Sequence, residues 1–191
     1  MKPGSTERFL QLRVSLRRVR PEVWRGLVVP SSMRLSVFHE VLQLAFGWNN
    51  SHLHVFRHGE SSYEPTYPDS SISCSSGRQL DESAFAIGDL LKARGDTLDY
   101  QYDMGDFWDH HVVVEEVVDD SRFGRAVCVA GARAAPPDGC GGAAGYRDLL
   151  RILANPAHPQ FSDMMEWAGG PIDPEMFNVA SINRALRRFR A

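Results

Sequence analysis

Histidine and carboxylate side chains occur close together in two short segments of the chain. His52 and His54 are two residues apart at the start of a predicted strand, so both rings are expected on one face of that strand. Asp103, Asp106 and His110 lie in a later, glycine-containing turn between predicted strands. Zinc is usually held by three or four nitrogen, oxygen or sulfur ligands. His52, His54, His110 and Asp106 are therefore the candidate ligands of a divalent metal such as zinc.

Aromatic residues flank the same two segments and allow other interpretations. Trp48, Tyr102 and Trp108 could pack with the histidines into a structural cluster whose polar tips are hydrogen-bonded. The same three rings could instead form the walls of a small-molecule pocket. A His-x-His pair is common by chance, so the structural cluster is favoured over the metal site.

A second segment of interest is the glycine-rich run at 136–142, which contains Cys140. Glycines free backbone N–H groups to form an anion-binding nest, and a predicted helix begins just beyond the run. The run matches neither the P-loop nor the dinucleotide-binding fingerprint, so a structural turn is the favoured interpretation. Cys140 would be a nucleophile only with a basic partner nearby in space.

Composition limits the partners and the compartment. The chain has 191 residues and a net charge of -3, which predicts no strong overall attraction to nucleic acid or membranes. Seven basic and two acidic residues among the first 25 leave open a basic face with weak, non-specific nucleic acid binding. Three cysteines without CxxC spacing argue against a disulfide framework. No apolar run is long enough for a membrane helix and the N-terminus lacks a signal peptide, so we expect a cytoplasmic protein.

Periodicity predicts the elements that position these residues. Apolar residues alternate with polar ones over residues 10–16, and a second strand follows the turn at Pro21, which predicts an N-terminal β-hairpin. A helix with an apolar stripe is predicted over residues 35–46 and is expected to stop at Gly47. Residues 59–83 contain eight serines and are predicted to be an exposed loop.

Strands are also predicted near residues 53–57, 98–102, 111–118 and 125–130, and the C-terminal third reads as helical. Its last helix is predicted to begin at Asp173-Pro174, an N-cap followed by proline. The fold class expected is α+β: a mixed or antiparallel sheet starting with the hairpin, one helix after it, and a helical C-terminal third packed against the sheet. One domain is expected over residues 1–191, with a core at about residues 8–189.

Four motifs in order carry a family resemblance: residues 20–25 (RPEVWR), 47–54 (GWNNSHLH), 102–110 (YDMGDFWDH) and 131–142 (GARAAPPDGCGG). Together they resemble the plasmid pRiA4b ORF-3-like family, from about residue 10 to residue 186. The resemblance implies an association with mobile elements, because some members are labelled insertion-sequence passengers or resolvases. It implies no defined activity. Ala135 stands where members often have Cys, so a cysteine pair is not expected in this loop.

The first functional hypothesis is therefore a non-enzymatic interaction or regulatory module of mobile-element origin, acting through a partner protein or nucleic acid. The alternatives are a metal-dependent hydrolase that uses the His/Asp cluster and a small-molecule binding protein with an aromatic-lined pocket. Recombinase chemistry is disfavoured, because the serines concentrate in the predicted loop and no separate helix-turn-helix follows.

Overall fold

The computed structural model describes residues 7–66, 78–119 and 124–189. In these ranges eight strands form one sheet, in the order β5-β4-β3-β6-β7-β1-β2-β8, with only the β4–β5 pair parallel. The strands are β1 (Arg8–Leu16), β2 (Trp24–Pro30), β3 (His54–His58), β4 (Ser61–Glu64), β5 (Arg78–Asp81), β6 (Thr97–Tyr102), β7 (Trp108–Asp119) and β8 (Val127–Ala132). The helices are α1 (Leu35–Phe46), α2 (Ile87–Leu90), α3 (Gly142–Leu153), α4 (Phe161–Trp167) and α5 (Val179–Leu186), and a 3-10 turn spans Glu82–Ala84. The predicted α+β class is confirmed.

The N-terminal hairpin forms as predicted. The four alternating apolar residues of β1 are all buried: Leu10, Leu12, Val14 and Leu16. Leu12 pairs with Leu27 of β2 in an antiparallel ladder. On the other side, β1 pairs antiparallel with β7, with a register shift after Gln11. The hairpin therefore lies inside the sheet rather than at its edge, and each of its strands has a second neighbouring strand.

Helix α1 covers the inner face of the sheet. Its predicted stripe is buried, and Phe38 packs on Phe56 of β3 with ring centroids 5.9 Å apart. Gly47 ends the helix in the left-handed region at a φ of 77°. A non-glycine residue would be strained at this φ, so the predicted stop has a local cause.

The free edge of β8 is covered by the side chain of Asn183 from α5. Its Oδ1 accepts from the Cys128 N–H at 2.8 Å, and its Nδ2 donates to the Cys128 carbonyl at 2.8 Å. The amide thus replaces a neighbouring strand at this residue. An uncovered edge strand would present unpaired backbone groups to other chains.

The prediction for residues 59–83 is wrong at both ends of the segment. Strand β4 lies there, with Tyr63 buried, and so do β5 and the buried Glu82. Serine-rich composition concealed these strands because much of β4 pairs through its backbone, which any residue can do. Residues 67–77, with Cys74, lie outside the described residues.

The start predicted for the last helix is also wrong. Asp173 Oδ1 accepts from the Glu175 N–H and closes only a turn, whereas α5 begins at Val179 with Asn178 as its N-cap. Between them, the ring of Phe177 occupies the space beside Gly131, where a Cβ would come within 2.5 Å of the ring. The segment before α5 therefore packs against β8 through Phe177.

The C-terminal helices differ in how deeply they pack. Tyr146, Leu149 and Ile152 of α3 are buried, whereas no residue of α4 is buried. Trp167 of α4 stays 47% exposed beside a groove between α3 and α4. No helix within the described ranges is long and apolar enough to cross a bilayer.

Three arginines near the N-terminus, Arg13, Arg17 and Arg18, are paired with carboxylates. On the outer side of the sheet, Arg13 pairs with Glu22 at 2.6 Å and Arg17 with Asp99 at 2.8 Å. Arg18 pairs with Asp109. Asp99 and Asp109 thus each pair with an arginine that follows β1, whereas the partner of Arg13 is Glu22. At the other end of the chain, Arg188 lies 3.4 Å from Glu40.

Candidate functional site

Four of the predicted site residues lie in two adjacent rungs of the sheet. The first rung is His54 on β3, Tyr102 on β6 and Trp108 on β7. The second is Phe56, Tyr100 and His110 on the same three strands. Because side chains of directly paired residues stand on the same face, all six point toward α1. Pairing of strands distant in sequence therefore brings together the two segments singled out by their histidines.

A cleft opens at one end of these rungs, with a volume of about 670 Å³. We call it the polar cleft; α1, the loop before β3, the 3-10 turn and the β6–β7 turn each supply part of its wall. Its polar lining comes from Ser36, His39, Glu40, Asn50, Ser51, His52, His54, Glu82 and Asp103.

His39 anchors a hydrogen-bond network in the wall of the polar cleft. Its Nε2 lies 2.7 Å from Asn50 Oδ1, and its Nδ1 lies 2.7 Å from the Tyr100 hydroxyl. Gln43 Nε2 donates to that hydroxyl at 3.0 Å, and Gln43 Oε1 accepts from the Asn50 N–H at 3.0 Å. Since an amide oxygen only accepts, Nε2 of His39 carries the proton and Nδ1 accepts from Tyr100.

Burial keeps both members of this pair neutral. The pKa of His39 is lowered to about 3, first by burial and then by the neighbouring His54. Burial also raises the pKa of the Tyr100 hydroxyl well above its ordinary value. His39 is therefore a neutral ring with one fixed tautomer, and Tyr100 remains a donor.

His54 and Glu82 form a buried pair directly against His39. Nε2 of His54 lies 2.8 Å from Glu82 Oε2, and both side chains are less than 10% exposed. A carboxylate is rarely buried without a partner, so Glu82 requires this imidazole. The His54 ring stacks on His39 with centroids 3.4 Å apart.

His52 and Asp103 form the outer part of the polar cleft. The predicted strand begins only at His54, so His52 lies in the preceding loop, with its Nε2 3.6 Å from Asp103 Oδ2. Asp103 Oδ1 accepts from the Gly105 N–H at 2.8 Å. Asp103 and Asn50 have left-handed φ values of 60° and 54°. Asp and Asn tolerate this conformation best, and strained residues of this kind cluster at functional sites.

The four predicted metal ligands do not converge. His110 is fully buried, with Nδ1 2.9 Å from the Trp108 carbonyl, and burial lowers its pKa to about 3. Asp106 accepts from the Gly141 N–H at 3.1 Å, whereas His52 and His54 line the polar cleft. Among the residues that the structure describes, no group of three or more His, Cys, Asp or Glu side chains is placed to hold a metal ion.

The predicted aromatic pocket walls lie in the core instead. Trp48 stacks on Tyr102 at 5.1 Å and on Trp108 at 6.0 Å between ring centroids, and all three are at most 5% exposed. Trp48 Nε1 donates to the Pro136 carbonyl at 2.9 Å. None of the three rings lines the polar cleft, so they support its floor rather than form its surface.

The glycine-rich run at 136–142 serves as a structural clamp. The Gly141 N–H donates to the carboxylate of Asp106, so this N–H group already has an anionic partner within the protein. Burial and, to a smaller extent, the charge of Asp106 raise the pKa of the Cys140 thiol to about 12. A thiol with this pKa is protonated at neutral pH and is not an activated nucleophile.

The polar cleft is acidic. It is lined by the carboxylates of Glu40, Glu82 and Asp103, and no Lys or Arg within the described ranges lines it. Nearby, burial raises the pKa of Asp138, and the charges of Asp103 and Asp106 raise it further. A cation or a donor-rich ligand would therefore be attracted here.

Sequence reasoning missed His39, Gln43 and Glu82. The first two are four residues apart and hence on one face of α1, beside its apolar stripe; this spacing is a usable signal. Glu82 had no such signal, because it lies in the serine-rich segment predicted to be exposed.

Comparison with known proteins places the chain in a family. Residues 8–181 match the model of the plasmid pRiA4b ORF-3-like protein family. The uncharacterized protein y4hQ of Sinorhizobium fredii (strain NBRC 101917 / NGR234) is 33% identical over 185 residues, which cover 93% of this chain and 90% of that protein. The crystal structure of MM3350, a protein of unknown function from Methanosarcina mazei Go1, superposes with a TM-score of 0.81 at 25% identity, covering 91% of this chain and 97% of that one. The chain belongs to the plasmid pRiA4b ORF-3-like family.

Proposed function

We propose that this chain is a non-enzymatic regulatory module that binds a small cationic ligand in the polar cleft. The observation that carries the proposal is Glu82, a carboxylate 4% exposed that lies in the cleft wall and pairs with His54. Around it the cleft has no basic side chain from Lys or Arg of the described residues. An ammonium or guanidinium group would add a positive charge beside the carboxylates that line the cleft.

The wall of the polar cleft is fixed before any ligand arrives. Hydrogen bonds join His39, Gln43, Asn50 and Tyr100 in one network, and this network sets the tautomer of His39. A wall that is already ordered loses little conformational entropy on binding, which favours affinity for a small ligand. Regulation would then follow from ligand-dependent contacts with a partner protein.

A second candidate function is general-base catalysis by His54, which one distance favours. The 2.8 Å contact from Nε2 to Glu82 orients the ring as a carboxylate does in histidine-based catalysis. A metal-dependent hydrolase is not favoured, because the described residues provide no convergent ligand set. The catalytic candidate also requires a nucleophile or substrate at Nδ1 of His54.

The test is a calorimetric screen of small ligands against the folded protein. Putrescine and guanidinium are the cationic probes, and butanediol is the neutral match for putrescine. Asp103→Asn removes a charge from the cleft but keeps an oxygen that can accept from Gly105. We expect the cations to bind. Asp103→Asn should lower their binding affinity at least about tenfold, or by about 1.4 kcal/mol.

Glu60→Gln is the matched control, because Glu60 is exposed and does not line the polar cleft. Equal binding of putrescine and butanediol would contradict the proposal. So would equal affinity of wild-type protein and the Asp103→Asn variant for putrescine.

A further inference from the structure

Arg25 is buried at the C-terminal end of α1. It is 3% exposed, and its Nε donates to the Ala45 carbonyl at 2.8 Å. Its Nη1 donates to the carbonyls of Trp24 at 2.8 Å and Ala132 at 3.0 Å. The guanidinium thus joins α1 to β2 and the end of β8, and these contacts fix its position.

The charge of Arg25 has no carboxylate partner within the described ranges. Burial lowers its pKa to about 10, so the group is still protonated at neutral pH. The Ala45 carbonyl belongs to the end of α1, where the helix dipole offers about half a negative charge. A buried full charge is usually paired with a full counter-charge, and none is found for Arg25 among the residues that the structure describes.

Arg25 lines a pocket of about 320 Å³ between the end of α1, residues 134–135 and α5. The pocket is otherwise mainly apolar, and no Asp or Glu of the described residues lines it. Phe177 forms one side, with its ring centroid 5.1 Å from the Arg25 Cζ. The hydrogen bonds of Arg25 use Nε and Nη1, so Nη2 remains without a partner among the described residues.

We propose that this Arg25 pocket binds a small organic carboxylate. The carboxylate would accept from Nη2 of Arg25, and its short apolar tail would pack on Phe177 and Ala134. Guanidinium groups match carboxylates in shape and charge, and the apolar lining favours a singly charged acid with a tail over inorganic phosphate. A volume of about 320 Å³ suits an acid of a few carbons.

The experiment compares butyrate with butyramide, its neutral match, by calorimetry and thermal unfolding. Butyrate is expected to bind and to raise the melting temperature, and butyramide is not. Ala134→Asp places a carboxylate in the pocket and should lower the affinity for butyrate at least about tenfold. Ala134→Asn should leave that affinity within about threefold of the wild-type value. Arg25→Lys keeps the positive charge but loses the planar guanidinium donors, so it should also lower the affinity for butyrate if the variant folds.

Equal effects of butyrate and butyramide would overturn the proposal, and so would equal butyrate affinity in the Ala134→Asp and Ala134→Asn variants. Neither outcome depends on the folding of an Arg25 variant. The Arg25 pocket shares no residue with the polar cleft, so each site can fail without the other.

Discussion

The imidazole rings of His39 and His54 stack face to face, with centroids 3.4 Å apart and planes within 5° of parallel. Two imidazolium rings at this distance would repel strongly, so at most one ring of the stack carries a proton charge. His39 is the neutral ring, because its pKa is about 3. The Glu82 carboxylate bonds to the other ring, and both rings and Glu82 line the polar cleft.

Replacement of Leu12 tests the core beneath the site. Leu12 is fully buried in β1, between β2 and β7. Leu12→Ala should lower the free energy of unfolding by about 2–5 kcal/mol, because it removes apolar contacts and leaves a cavity. Thr97→Ala, on an exposed position of β6, is the control. A change of under about half a kcal/mol for Leu12→Ala would show that β1 is not packed as described.

Replacement of Asn183 tests the protection of the β8 edge. Asn183→Ala leaves the N–H and carbonyl of Cys128 unpaired, at a cost of about 1–3 kcal/mol in unfolding free energy. It also opens a strand edge, so we expect concentration-dependent association in sedimentation velocity. Arg184→Ala, one residue further on α5, should do neither. An Asn183→Ala protein that unfolds and sediments like the wild type would refute the edge-cover interpretation.

Acid should destabilise the fold through His39 and His110. The pKa of each falls from 6.5 to about 3 on folding, so unfolding takes up a proton between these values. Their contribution is fully present above about pH 6.5 and decreases as the pH drops toward 3, by about 1.4 kcal/mol per pH unit for each ring. Denaturant unfolding as a function of pH measures this slope.

His110→Phe isolates one of the two rings. The variant should reduce the slope between pH 5.5 and pH 4 by about 1.4 kcal/mol per pH unit, whatever its stability at pH 7. Thr97→Ala, which removes no titratable group, should keep the wild-type slope. An unchanged slope in His110→Phe would mean that His110 is protonated in the folded protein.

Nucleic acid binding is expected to be weak, because the outer-face arginines are already paired. Arg17 bonds to Asp99, and Arg18 bonds to Asp109. Duplex DNA affinity should fall steeply with salt, and the double variant Asp99→Asn with Asp109→Asn should increase it by freeing both guanidiniums. Filter binding or fluorescence anisotropy measures both effects. A sequence-specific complex that survives physiological salt would contradict this expectation.

Local periodicity accounts for much of what the sequence predicted, and long-range pairing accounts for most of what it missed. The alternation around Leu12 and the stop at Gly47 are determined by neighbouring residues, so hairpin and helix were predictable. The partner of His54 is Glu82, 28 residues away in a segment whose composition resembles a loop. Asp106 was predicted as a ligand, but the chain uses it to hold Gly141. Neither of these two contacts is indicated by a periodic pattern in the sequence.

The most direct test of the polar cleft is a titration of the protein with putrescine, followed by NMR of isotope-labelled histidine ring nitrogens. His52 and His54 line the cleft, whereas His111 on the outer face and His158 beyond α3 do not. We expect saturable changes in the ring nitrogen shifts of His52 and His54, no comparable change for His111 and His158, and no response to butanediol. If putrescine leaves the rings of His52 and His54 unchanged, or shifts all four histidines alike, the polar cleft is not the binding site for a cationic ligand.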